Sequence, residues 1–213
     1  MSHFVGLCFG AYWDHDLEQY AEDLEVEAYV KQTKEEAIND VQRNQRKRYL
    51  EAVKALQTPN LNSHSMVFYQ KIVDRGMEIS KEEAWKEVLS WGYELDDNDN
   101  LLSRYNPNSK WDWYSIGGRW NGFLVIKERR DDGSIIEVND AYFSEIDWDY
   151  MKKDNRIPFC FVDEDGEWHE KGEMGWFAMT TNEMNEDEWR SIFENYLETV
   201  EDDCLVTVVD FHI

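Results

Sequence analysis

The sequence predicts an α+β fold, in which an antiparallel sheet carries a helical insertion in its N-terminal half and ends in a C-terminal helix and strand. In the first half, capping-box patterns at Thr33 and Ser80 are each followed by apolar residues with helical spacing. Two acidic turns that end in glycine, at 131–133 and 163–166, join β-like runs in the second half. We therefore expect a single α+β domain over 1–213 with a helical insertion at about 33–91.

In the first half, an apolar run over 3–9 predicts an opening strand. Helical spacing begins after Thr33, stops at Pro59, and resumes over about 65–75 and again after Ser80. The residues expected to pack these helices together are Ile38, Val41, Leu56, Trp85 and Leu89. The basic cluster expected to remain on a solvated helix surface is Arg43, Arg46, Lys47 and Arg48.

In the second half, alternating and apolar runs predict strands. The β-like runs are 121–128, 134–138, 157–162, 167–169 and 173–179. Asn185 caps a last helix with an apolar stripe, and the run 204–212 is dense enough in apolar residues for a central strand buried on both faces. The cysteines lie in apolar runs without CxxC spacing, which predicts buried, reduced thiols at Cys8, Cys160 and Cys204.

The composition excludes several functional classes. The 213 residues include 22 Lys+Arg and 46 Asp+Glu, a net charge of −24, and 15% are aromatic, unlike a disordered acidic tail. This charge repels polyanions, so we expect no direct nucleic-acid binding. The sequence has no apolar run of about 18 residues and no signal-peptide pattern at its start. We expect a cytoplasmic protein with no membrane partner.

The most informative stretch is NPNSKWDWYSIGGRWNG, over 106–122. Indole rings beside an arginine fork and a Gly-Gly backbone suit a planar or phosphorylated ligand, or a partner's side chain. The alternative is an aromatic mini-core in which Asp112 pairs with Arg119 to fix a loop. The Gly-Gly pair fits neither of the phosphate-binding patterns GxxxxGK[ST] and GxGxxG. The candidate binding residues here are Lys110, Trp111, Asp112, Trp113, Tyr114, Gly117, Gly118, Arg119 and Trp120.

A second aromatic and glycine-rich stretch, DEDGEWHEKGEMGW, covers 163–176, and we expect it to meet the first in one pocket. Its candidate binding residues are Trp168, His169 and Trp176. We expect no cofactor. The weak candidates for a metal site are His169, Glu173, Asp210 and His212, whose spacing matches no known ligand pattern. The acidic run at 96–100 superficially resembles a calcium loop, but the twelve residues 96–107 lack the Gly and Glu of an EF-hand.

The two motifs resemble an uncharacterised family of phage and bacterial proteins. The resemblance is carried by NPxSKWDWYxIGGRW over 106–120 and DGxWxxxGxMGW over 165–176, and it extends to 24–29, 33–37 and 209–212. It covers most of the chain and implies a phage-linked, cytosolic setting. It provides no catalytic residues.

Three functions follow as hypotheses. The first is a non-enzymatic, acidic binding protein of phage type. It sequesters or inhibits a host protein, such as a defence protein, or a small signalling ligand, through an aromatic, glycine and arginine pocket. The second is a metal-assisted hydrolase that uses the four weak metal candidates. The third is a DNA mimic that inhibits a nucleic-acid-binding protein by charge alone. The sequence determines neither the target nor the oligomeric state.

Overall fold

The computed structural model describes residues 2–175 and 179–213. Its internal contacts divide the chain into two compact units. The helical unit is Val26–Arg104, and the sheet unit is Met1–Glu25 together with Tyr105–Ile213. The predicted α+β class, with a C-terminal helix followed by a strand, is confirmed.

The helices of the described chain are α1 Trp13–Leu17, α2 Lys34–Leu56, α3 Ser63–Arg75, α4 Lys81–Leu89, α5 Trp148–Lys153 and α6 Glu186–Leu197. The strands are β1 His3–Phe9, β2 Tyr29–Gln32, β3 Leu101–Ser103, β4 Trp113–Ile116, β5 Leu124–Arg129, β6 Ile135–Val138, β7 Asp140–Tyr142, β8 Cys160–Val162, β9 Trp168–Glu170, β10 Glu173–Met174, β11 Thr180–Thr181 and β12 Leu205–His212.

The helical unit follows its capping signals. The Thr33 side chain accepts the Glu36 N–H while the Glu36 carboxylate accepts the Thr33 N–H, so the capping box of α2 is complete. Ser80 caps α4 in the same position. The predicted core role of Leu89 is wrong, because this last residue of α4 is 50% exposed. The buried residues of this unit's core are Ala37, Ile38, Val41, Ile79, Ala84, Val88 and Leu101.

The basic cluster of α2 is exposed throughout, as predicted. The helix buries the opposite side, which includes Ile38, Val41 and Ala52. The exposure of Leu89 follows from the rotation of α4. Ala84 and Val88, four residues apart, occupy its buried side. Leu89 lies about 100° further round the helix and therefore faces water.

The main sheet of the sheet unit has the strand order β4-β12-β1-β8-β9, and β7 also pairs with β12. β12 is the central strand, and its residues from Val206 to His212 are buried, as predicted. The β1–β8 pair is parallel, whereas β12 pairs antiparallel with each of its neighbours. The parallel pair departs from a purely antiparallel sheet because a long connection, rather than a hairpin, separates these two strands.

Alternate residues of the sheet face two separate cores. On one side, which we call the α6 face, Val5, Leu7 and Phe9 join a buried cluster with Trp189 and Phe193 of α6. On the other side, the α1 face, Phe4 and Cys8 join a cluster with α1. Adjacent residues of β1 or β12 therefore contribute their side chains to different cores.

Both predicted hairpins are present, as the antiparallel pairs β5–β6 and β8–β9. Of the expected strand over 173–179, the first two residues form β10, which pairs with β11; residues 176–178 lie outside the described residues. The three cysteines are buried and free, as predicted. Burial raises the pKa of Cys204 to about 12, and it also raises the pKa of Cys8 and Cys160.

Candidate functional site

Two histidine–aspartate pairs lie side by side on the α6 face, at the paired ends of β1 and β12. His3 Nδ1 is 3.0 Å from Asp210 Oδ1, and His212 Nδ1 is 2.6 Å from Asp112 Oδ1. The centroids of the two imidazole rings are 4.7 Å apart. His212 is 1% exposed, and its Nε2 has no hydrogen-bond partner among the residues described. We call these four residues the His–Asp network.

The network fixes the Gly-Gly turn of the 106–122 stretch. The second carboxylate oxygen of Asp210 accepts the backbone N–H of Arg119 at 2.9 Å. Gly117 and Gly118 both have positive φ, at 68° and 49°. A Cβ on Gly118 would lie 2.4 Å from that same Asp210 oxygen. Glycine is therefore required here both by the backbone conformation and by the approach of the carboxylate.

One set of residues in the stretch, Asn106, Trp111 and Tyr114, is anchored in the fold, and we call it the anchored half. The Asn106 amide donates to the carbonyls of Gln19 and Ala21, at 2.8 and 2.9 Å, and Asn106 is 2% exposed. The Trp111 indole N–H donates to the carbonyl of Leu17. Tyr114 packs into the α1-face core, where burial and then the carboxylate of Asp14 raise its pKa.

The remaining side chains lie at the outer edge of the sheet, where β4 ends the strand order. Trp113 stacks on His212 with ring centroids 4.7 Å apart, yet it is 44% exposed. The Arg119 side chain is exposed and forms no ion pair within residues 2–175 and 179–213. We call this group the edge surface. Its members are Trp113, Ile116, Arg119 and Trp120.

The ion pair between Asp112 and Arg119 that the structural alternative required does not form between these two residues. The Asp112 carboxylate binds His212 instead, because Trp113 pairs with His212 in the β4–β12 register and brings the neighbouring Asp112 alongside. Asp112 does fix the loop, as the structural alternative proposed, but it does so through a histidine at the end of the central strand.

The two aromatic stretches meet on the α1 face. Lys110 Nζ lies 2.5 Å from Glu170 Oε1, and the Trp168 indole N–H donates to the other oxygen of Glu170 at 2.9 Å. Trp113 lies on the opposite face, because successive residues of β4 alternate. The sheet therefore divides the single pocket that the two motifs suggested. Trp176 lies outside the described residues.

The four weak metal candidates fall into three separate places. Asp210 and His212 belong to the network on β12, whereas His169 is on β9, three strands away in the sheet order. Three strand spacings amount to about 14 Å, too far for one metal ion. Glu173 accepts hydrogen bonds from Thr181 and Asn182. The geometry does not support a hydrolase built on this set.

His169 instead belongs to a small cluster in the β8–β9 turn. Its Nε2 is 2.8 Å from Asp163 Oδ2, and with Glu167 the ligand-type atoms lie within 4.8 Å of one another. A cation can fit such a set, but the other oxygen of Asp163 already accepts the N–H groups of Asp165 and Glu167. The His169 ring also stacks on Phe161. These contacts account for the cluster as a turn structure.

A cleft of about 340 Å³ opens beside the network on the sheet unit. His3 lines it, so the cleft and the network share a residue. Trp120 lines it too and is the one member of the edge surface that does so. The aromatic residues that line the cleft are Phe4, Trp120, Phe123, Phe159 and Trp189.

The negative charge is concentrated in the sheet unit. Its residues include 10 basic and 32 acidic side chains, a formal charge of −22. The helical unit has 12 basic and 14 acidic side chains, a formal charge of −2. The candidate binding surfaces therefore lie on the unit with the stronger field.

No family model matches the chain, and no curated protein or solved structure matches it. In the part of the chain that the structure describes, no helix is long and apolar enough to cross a bilayer.

Sequence reasoning missed His3 and the aromatic wall that Phe123 and Phe159 contribute to the cleft. No local sequence pattern indicates that these residues belong to a site, because His3 looks like the first residue of an ordinary strand. The available signal was the pairing of the two chain ends. A strand with His at position 3 next to a strand that ends Asp-Phe-His places histidines and an aspartate on one face.

Proposed function

We propose that this protein is a non-enzymatic binding protein of phage type, which holds and inhibits a host protein through the edge surface. The observation that carries the proposal is an exposed arginine, Arg119, which has no ion-pair partner in the described chain and lies in the same sequence stretch as the exposed Trp113, Ile116 and Trp120. Tryptophan and arginine dominate the residues that contribute most to protein–protein affinity. These three apolar side chains are large and 38–56% exposed, and such exposure suits an interface better than a solvated surface.

The exposed edge of β4 suggests how a partner would bind. β4 ends the strand order, and its sequence, Trp-Tyr-Ser-Ile, has neither the charges nor the proline that usually protect a sheet edge. The opposite edge, β9, contains His169 and Glu170 and is followed by Lys171. An extended segment of the partner can add to β4 by main-chain hydrogen bonds, while Trp113 on one face of the sheet and Ile116 on the other contact its alternate side chains.

The partner is expected to be basic, because the unit that bears the edge surface has a formal charge of −22. Complementary charge raises the association rate and disfavours acidic competitors.

This same charge supports a second candidate, mimicry of a nucleic-acid backbone. In that case the partner would be a nucleic-acid-binding protein, and its affinity would fall steeply with salt whatever residue stands at 119.

The test begins with capture of partners from a bacterial lysate on the immobilised protein, followed by affinity measurements on the purified partner. Arg119→Lys keeps the charge and loses the planar fork, so the Kd should rise at least about tenfold. Arg130→Lys, at an exposed arginine of the β5–β6 turn, is the matched control and should leave the Kd unchanged. Equal affinity for both variants, with strong salt dependence, would favour mimicry instead.

A further inference from the structure

The cleft beside His3 has the properties of a small-molecule site, separate from the edge surface. Its volume, about 340 Å³, falls in the range of ligand pockets. Its lining includes the aromatic residues Phe123, Phe159 and Trp189. The Trp189 indole is held in place by its N–H donation to the carbonyl of Pro158 at 2.7 Å. Fixed aromatic walls favour a flat, rigid ligand that stacks against them.

His3 supplies a directional polar group to this cleft. Its Nδ1 is engaged by Asp210 at 3.0 Å. When the imidazole is neutral and Nδ1–H donates to the carboxylate, Nε2 is an acceptor. The ring is held by its contacts with His212 and Trp113, so the acceptor has a fixed orientation. A ligand that satisfies this acceptor must present a hydrogen-bond donor, such as an N–H group.

The charges around the cleft disfavour an anionic ligand. The cation that lines it is Lys171, whose Nζ lies 2.9 Å from Glu183 and 3.1 Å from Glu186. Glu186 is itself a lining residue. With this lysine neutralised inside a unit of formal charge −22, a phosphate group would meet a negative field without a cation to bind it.

From these observations we propose that the cleft binds a planar, amino-substituted heteroaromatic ring without negative charge, of the kind found in an adenine or cytosine nucleoside. The rings hold the flat faces, His3 Nε2 accepts from the amino group, and the field excludes the phosphorylated form. The proposal does not depend on the edge surface, because the cleft and the edge surface have only Trp120 in common among their named residues.

Isothermal titration with adenosine, purine riboside and AMP tests each part of this inference. Adenosine should bind with a Kd of about 1 mM or tighter, and purine riboside, which lacks the amino group, should bind at least about tenfold more weakly. AMP should also bind at least about tenfold more weakly than adenosine at low salt, with a smaller difference at high salt. The same titration with cytidine extends the test to the smaller ring.

The matched variants separate cleft binding from surface binding. Ile157→Trp fills the cleft and should abolish adenosine binding, whereas Leu24→Trp, at an exposed position of the same unit outside both sites, should not alter it. Circular dichroism establishes that each variant folds. If neither nucleoside binds saturably up to about 10 mM, or if folded Ile157→Trp binds like wild type, the inference is wrong. AMP binding as tightly as adenosine would overturn its charge component. Partner capture with Ile157→Trp tests the edge surface separately.

Discussion

The anchored half of the 106–120 stretch and its edge surface contain the same kinds of residues in very different environments. Asn106 is 2% exposed and bonds to two backbone carbonyls, while Trp111 and Tyr114 pack towards the α1-face core. Interleaved with them in the sequence, Trp113 and Ile116 are 44% and 56% exposed. The density of aromatic residues alone therefore does not separate packing residues from exposed candidate binding residues. The hydrogen-bond or ion-pair contacts of the polar groups within the fold do separate them.

The His–Asp network joins these two regions. Asp112, just before β4, forms a hydrogen bond with His212, and Asp210 on β12 forms one with His3 and accepts the backbone N–H of Arg119. The anchored half and the network thus position an edge surface whose own side chains are exposed. If this division is right, substitutions in the two regions should separate stability from binding.

The largest effect on stability is expected at Gly118. Gly118→Ala places a Cβ against Asp210 in a left-handed conformation, which should cost about 3–5 kcal/mol of unfolding free energy. Gly133→Ala is the matched control, since its φ is also positive but no atom lies within 4 Å of the added Cβ. Urea denaturation measures both. Equal costs would mean that the contact with Asp210 adds nothing.

Asn106→Ala should be the next most damaging change. It removes two donated hydrogen bonds and leaves the carbonyls of Gln19 and Ala21 without this donor, at a cost of about 2–4 kcal/mol. Asn108→Ala, two residues later on the exposed surface, should change the free energy of unfolding by less than about 0.5 kcal/mol. A small effect at Asn106 would show that the anchored half is not held in the manner described.

A smaller cost is expected at the junction between the two regions. Asp112→Ala deprives the buried His212 of its Nδ1 partner and should destabilise by about 1–3 kcal/mol. Asp140→Ala, at an exposed aspartate of β7, is the control and should have little effect. If Asp112→Ala unfolds no more readily than its control, the pair between Asp112 and His212 does not stabilise the fold.

Much of the fold followed from local patterns in the sequence. The capping residues Thr33 and Ser80 set the starts of two helices, and glycine-ended turns set two hairpins, because each of these signals acts within a few residues. The terminal strand was identifiable as central from its apolar density. Leu89 was misassigned because the exact rotation of a short helix depends on its neighbours.

The site was less predictable, because it depends on which strands pair. The 106–122 stretch was identified as unusual, but the division of its residues between two faces follows from the β4–β12 register. Likewise, Asp112 meets His212 and His3 meets Asp210 across 100 and 207 residues of sequence. No local pattern in a single sequence encodes contacts of that range.

The smallest expected effect on stability is the most informative about function, and it is found at Arg119. Because its guanidinium makes no ion pair in the described chain, Arg119→Lys should change the free energy of unfolding by less than about 0.5 kcal/mol. The most direct test of the account is the Kd of the captured partner for this variant, measured beside its melting temperature. We predict an unchanged melting temperature and a Kd raised at least about tenfold. A variant that melts far below wild type, while its folded fraction binds with normal affinity, would contradict the account and make Arg119 a structural residue.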